Sequence, residues 1–133
     1  MKFVNPLPFV ADISRSKSFY SEVLQLQILE DHGNFVQFDN GFALHDDASL
    51  YQTVFGESRD ESGPYGRRNL VLYFEDEDID TAFKRIADRV DLIHEVRQQS
   101  WGQRVFRFFD PDGHIVEIGE PQVTTSVSKP YEP

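Results

Sequence analysis

A chain of 133 residues with no cysteine and a formal net charge of −10 excludes disulfides, thiolate metal sites and a cysteine nucleophile, and it repels the phosphates of nucleic acids and anionic lipid heads. The length suits one domain, and 39% hydrophobic with 14% aromatic content supplies apolar area for a packed core. No apolar run approaches the ~20 residues of a membrane span, and Met1-Lys2-Phe3 leads straight into strand-like sequence, so a cytoplasmic location is expected.

"FVNPLPFV" (3–10) predicts an edge or terminal strand, because Pro6 and Pro8 cannot donate to a central ladder. In "DISRSKSFYSEVLQL" the spacing of Ile13, Ser16, Tyr20, Val23 and Leu24 predicts a helix that Asp12 or Ser14 can cap. Three short strands follow, 26–31, 35–39 and 42–45, parted by "HGN" and by Asp39-Asn40-Gly41, whose residues tolerate positive φ. "DDASLYQTVFG" (46–56) reads as a short helical turn and "ESRDESGPYG" (57–66) as a surface loop, with Tyr51 and Tyr65 beside it, that is able to close over a ligand. A strand (68–75), a helix (78–89) and three strands (92–98, 104–109, 114–118) complete the pattern. The tail from 121 to 133 lacks periodicity and reads as loose.

The order is βαβββ twice, about 1–46 and 67–119, joined by 47–66 within one domain of residues 1–120. "FVADI" (9–13) lies over "EDEDI" (75–79), and "DNGFALH" (39–45) over "PDGHIVE" (111–117), which superposes His45 on Glu117. Two such halves pack together and enclose a shared cleft. The predicted fold is α+β, two βαβββ modules forming a cupped mixed sheet around that cleft.

"PFVADISRSKSFYSEVLQL" and "WGQRVFRFFDPDGHIVEI" resemble the opening and closing motifs of the vicinal oxygen chelate superfamily, which includes glyoxalase I, bleomycin-resistance proteins and extradiol dioxygenases. The resemblance spans nearly all of residues 3–119 and implies that metal ligands, where the family has them, come from the first and last strands of each module. Carried onto this chain, those positions are Asn5 and Val71, counted seven back from Asp12 and Asp78, with His45 and Glu117. Val71 has no donor atom and Asn5 offers a neutral amide, whereas a catalytic divalent site needs about three imidazole or carboxylate ligands. The expectation is therefore no cofactor, with a divalent metal on His45, Glu117 and Asn5 as the alternative.

Strand alternation turns Glu117 into the cleft, within reach of His45 or a cationic ligand, and sends Val116 and Ile118 toward the helices. Leu7, Phe9 and Tyr73 join it as apolar walls, Asn5 and Asn69 as polar contacts, and Trp101 as an aromatic wall, a core residue or a dimer-interface residue. His94 shares a face with Leu92 and Val96 by the same alternation, and His114 points away from Glu117. Asp110-Pro111-Asp112-Gly113 reads as a turn with no catalytic role. No Gly-rich phosphate loop, nucleophile elbow or His-Glu-x-x-His pattern occurs.

The leading expectation is a metal-free binder of an aromatic or cationic small molecule such as an antibiotic, as the resemblance to bleomycin-resistance proteins implies, with no nucleic-acid or membrane partner. The alternative is a metal-dependent lyase, isomerase or dioxygenase using His45 and Glu117. No catalytic residue is assigned. Pairing among relatives and exposed sheet edges point to a homodimer.

Overall fold

The computed structural model describes residues 1–59 and 64–122. The expectation of a loose tail therefore falls almost wholly outside the described residues, and part of the connector does too.

Sequence and ladder agree on two modules. The first contains β1 (Phe9–Val10), α1 (Ile13–Ser18), β2 (Ile28–Asp31), β3 (Phe35–Phe38) and β4 (Ala43–Asp46). Helix α2 (Asp47–Phe55) leads out of it. The second contains β5 (Val71–Glu75), α3 (Ile79–Ile86), β6 (Asp91–Gln98), β7 (Arg104–Phe109) and β8 (Ile115–Gly119). Each forms its own four-stranded sheet, in the orders β1-β4-β3-β2 and β5-β8-β7-β6, with the first strand parallel to the last. The class is α+β and the duplication is real, with the mixed sheet divided between the modules.

Asp12 and Asp78 cap α1 and α3, each carboxylate accepting the amide three residues on, Arg15 and Thr81. Helix α1 passes into a wider π turn over Phe19–Val23, where the Leu24 amide donates to the Phe19 carbonyl. Gln25, at φ 60°, then stops the helix.

One core serves both modules. Val36, Phe38 and Leu44 from the first sheet and Phe106, Phe108, Val116 and Ile118 from the second are buried in a single cluster around Tyr20. Phe42 and Phe74 meet edge to face across the module boundary with ring centres 5.4 Å apart. Burial of Val116 and Ile118 confirms the alternation expected for the closing strand.

The predicted first strand does not span 3–10. Only Phe9–Val10 pairs with β4, while Phe3 and Val4 stay exposed, because Pro6 and Pro8 interrupt the row of donors that a longer parallel ladder needs. The ladders also correct the residue count between modules. Phe9 lies opposite His45 and Tyr73 lies opposite Glu117, so Phe9 corresponds to Tyr73. From those residues to the capping aspartates the chain runs three positions (9 to 12) in one module and five (73 to 78) in the other. Counting seven back from each aspartate therefore reaches positions, Asn5 and Val71, that are not structural equivalents.

The DPDG turn does more than reverse the chain. Asp110 Oδ1 accepts the amides of Asp112 and His114, and Gly113 takes the left-handed conformation at φ 82°. Buried Asp112 reaches the other module, accepting from the Ala11 amide at 2.8 Å and the Ser16 hydroxyl at 3.2 Å. The Tyr20 hydroxyl donates to Asp110 Oδ2 at 2.6 Å. The turn thereby ties β8 to the start of α1.

Candidate functional site

Helix α2 begins where Asp46 accepts the Ser49 amide and ends at left-handed Gly56, φ 72°. Its length sets Tyr51 and Phe55 one turn apart on one face, ring centres 4.6 Å from each other. Facing them, Phe9 of β1 packs against Tyr65 at 5.9 Å. With Leu7, Pro8, Leu70, Arg59 and His114 these rings line a cavity of about 480 Å³. The Tyr65 hydroxyl donates to Asp47, and burial together with that carboxylate raises its pKa well above the usual phenol value. The His114 Nε2 lies 3.2 Å from the Phe9 carbonyl and is satisfied by donating to it. The Arg59 guanidinium lies over the Tyr65 ring, 4.1 Å from its centre.

A second hollow, about 610 Å³, opens between the modules. Pro6, Leu26 and Phe42 line one side and Val71, Tyr73 and Phe74 of β5 the other. The Tyr73 hydroxyl donates to Glu75 at 2.5 Å and accepts from Gln103 at 2.8 Å.

Glu117 lies elsewhere. Its carboxylate is 12% exposed and accepts from Arg107 Nε at 2.7 Å, the two residues facing each other across the β7–β8 ladder. Arg107 also donates to His94 Nε2 at 3.1 Å, while His94 Nδ1 meets the Glu95 carbonyl at 2.7 Å, partners that fit the neutral imidazole with its proton on Nδ1. His94 therefore does not share the face of Leu92 and Val96. Register shifts on either side of it in the β6–β7 pairing turn the ring toward Arg107.

The residues expected to form one pocket fall in several places. Leu7 and Phe9 enter the aromatic cavity, and Val71 and Tyr73 the hollow between modules. Asn69 lines a small dent beside Gly113. The Asn5 amide donates to the Pro6 carbonyl at 2.8 Å. His45 holds the Asp46 carbonyl through Nδ1 at 3.0 Å and packs against Phe35. Trp101, 58% exposed in the β6–β7 turn, donates to Gln103 Oε1. Glu117 thus takes Arg107 as its partner where His45 or a cationic ligand was expected. The sequence reading marked Tyr51 and Tyr65 but missed Phe55, Arg59 and Arg107. The four-residue step from Tyr51 to Phe55 in a helical segment was the available signal for the first. Counting outward from the DPDG hairpin, which sets 107 opposite 117, was the signal for the last.

The implied metal does not fit this donor set. The Glu117 carboxylate is neutralised by a guanidinium, Asn5 is turned to its own backbone and Val71 has no ligand atom. Among the described residues no three His, Asp or Glu side chains gather where they could hold an ion.

Comparison with known proteins decides the family. A family model described as a glyoxalase-like domain matches residues 3–122. This chain belongs to that family. A solved structure of a protein of unknown function from Agrobacterium tumefaciens str. C58 is 57% identical, with a TM-score of 0.88 over 92% of this chain and 95% of that one. The uncharacterized Bacillus subtilis (strain 168) protein YraH is 27% identical over 126 residues, 89% of this glyoxalase-like chain and 97% of its own. A glyoxalase/bleomycin resistance protein/dioxygenase from Nocardioides shares the fold, with a TM-score of 0.71 at 21% identity over 98% and 91% of the two chains. The superfamily resemblance read from the two motifs is thereby established for this glyoxalase-like domain.

Proposed function

We propose that this glyoxalase-like protein is a metal-free small-molecule binder that takes a planar aromatic compound into the cavity between α2 and β1. The carrying observation is the wall of four rings, Phe9, Tyr51, Phe55 and Tyr65, around about 480 Å³, a volume and composition usual for a ligand pocket. The cationic ligand considered from sequence loses its main support, since Glu117 already holds Arg107. A homodimer belongs to this reading: Val71, Tyr73, Ile93 and Trp101 of the second module leave apolar area exposed that a second copy would cover. So does a cytoplasmic location, consistent with the finding that no described helix is long and apolar enough to cross a membrane.

A thermal-shift screen of planar aromatic compounds tests it. A ligand at a hundred times its Kd raises the midpoint by about 10 °C for a chain of this size. Phe55→Ala removes a ring that is 60% exposed, so the stability of the unliganded protein stays within about 0.5 kcal/mol of wild type while the ligand shift is lost. Stoichiometric metal in protein purified without chelator, absent from His45→Ala, overturns the metal-free reading. A monomer by sedimentation overturns the dimer.

A further inference from the structure

We infer that the aromatic cavity selects an organic anion, an aromatic monocarboxylate whose charge is received by Arg59. This deepens the proposed function and rests on it. Arg59 Nη1 is buried and has no hydrogen-bond partner among the described residues, and none of the ion pairs among those residues includes Arg59. A buried cationic donor without a partner is costly, and proteins seldom leave one so.

Among the described residues, His114 Nε2 is engaged by the Phe9 carbonyl and the Tyr65 hydroxyl by Asp47, and the remaining polar group on the wall, the Tyr51 hydroxyl, carries no charge. Arg59 is therefore the charged group on this wall with donor capacity left. Its guanidinium carbon lies 4.1 Å from the Tyr65 ring centre, and a guanidinium grips a carboxylate with two parallel bonds. The surrounding rings accept the flat hydrocarbon part of the same molecule. A chain of net charge −10 repels polyanions over distance, which favours a single carboxylate over a phosphate ester.

Calorimetric titration with 2-naphthoate, its methyl ester and 2-naphthylmethylammonium, on wild type, Arg59→Gln, Arg59→Lys and Phe55→Ala, tests the inference. Naphthoate is expected to bind wild type at least tenfold more tightly than the ester, and the ammonium compound more weakly than either. Arg59→Gln should erase the preference for the acid while leaving ester affinity within about twofold, and Arg59→Lys should keep part of it. Equal binding of acid and ester by wild type, or a preference that survives Arg59→Gln, overturns the anion inference. If ester binding is then still lost in Phe55→Ala, the aromatic cavity stands without it. Binding of none of the three probes to wild type sinks both.

Discussion

Asp110 is the side chain in which the turn, the core and the pH response of the fold meet. Burial raises its pKa above the usual 3.8, outweighing the hydrogen bond from Tyr20 that acts to lower it. Burial raises the Tyr20 hydroxyl pKa too, with the Asp110 charge adding to it. A carboxyl whose pKa is higher folded than unfolded stabilises the fold most below 3.8, and that contribution is lost as pH rises through the raised folded value. Asp31, Asp78 and Asp80 have lowered pKa values, through hydrogen bonds from Gly33, Thr81 and Arg104 respectively. They act with the opposite sign, losing their contribution as pH falls, but they are common to wild type and an Asp110 variant and cancel in the difference. Asp110→Asn keeps an Oδ1 for the Asp112 and His114 amides and cannot titrate. Wild type is therefore expected to lose stability relative to Asp110→Asn as pH rises from 3 through the raised value, and to hold a constant difference above it. Urea midpoints of the two proteins across that range check the sign, and a difference flat from acid to neutral contradicts it. The turn chemistry of Asp110 and Gly113 was legible because it depends on local φ and local amides. The partners of Asp110 and Asp112 were not, since Tyr20 and Ala11 lie ninety and more positions away and no periodicity reports such a contact. Glu117 illustrates the same limit: alternation gave its face, while its neutralisation by Arg107 needed the hairpin register.

Elements were legible where one pattern governed them and were lost where backbone detail intervened. The 3.6-residue period located α1 and α3, flanking turn residues located β3, runs of strand-forming residues located β7 and β8, and alternation gave the faces of β8. Two prolines shortened β1, and two shifts of register rotated His94 out of the pattern of its own strand. The junction between connector and hairpin is another such detail. The amides of Tyr65 and Gly66 both donate to the Asp112 carbonyl, at 2.9 and 3.1 Å, holding the Tyr65 ring at the cavity. A Cβ on Gly66 would sit 1.7 Å from the Gly113 carbonyl oxygen, a collision with backbone that no rotamer relieves. Gly66→Ala must therefore lift residues 64–66 off the turn, breaking both hydrogen bonds, each worth about 1 kcal/mol. A loss of roughly 2–3 kcal/mol is expected in chemical denaturation, together with weaker binding of any probe that packs on Tyr65. Unchanged stability in Gly66→Ala contradicts the close approach.

At the scale of the whole molecule, the sequence announces two modules and the structure gives them a single core. Duplication alone suggests halves that could unfold separately, but Phe19 packs on Phe108 with centres 6.3 Å apart, and Phe74 packs against both Tyr20 and Phe42, at 6.4 and 5.4 Å. Neither sheet keeps its buried face covered without the other, so the two are expected to unfold in one transition. Leu44 and Trp101 allow a direct test. Leu44, in β4 of the first module, is fully buried, and Leu44→Ala should cost about 2–5 kcal/mol through lost burial and the cavity left behind. Trp101 is the sole tryptophan and lies in the second module, so its emission reports the half that Leu44→Ala does not touch. Denaturation followed by Trp101 emission and by far-ultraviolet circular dichroism should shift to the same lower midpoint in the variant, with an unchanged slope against denaturant. A variant whose Trp101 transition stays at the wild-type midpoint while the dichroism moves would show modules that fold independently. The clasp of Asp110 and Asp112 on α1 would then be a surface contact between two cores.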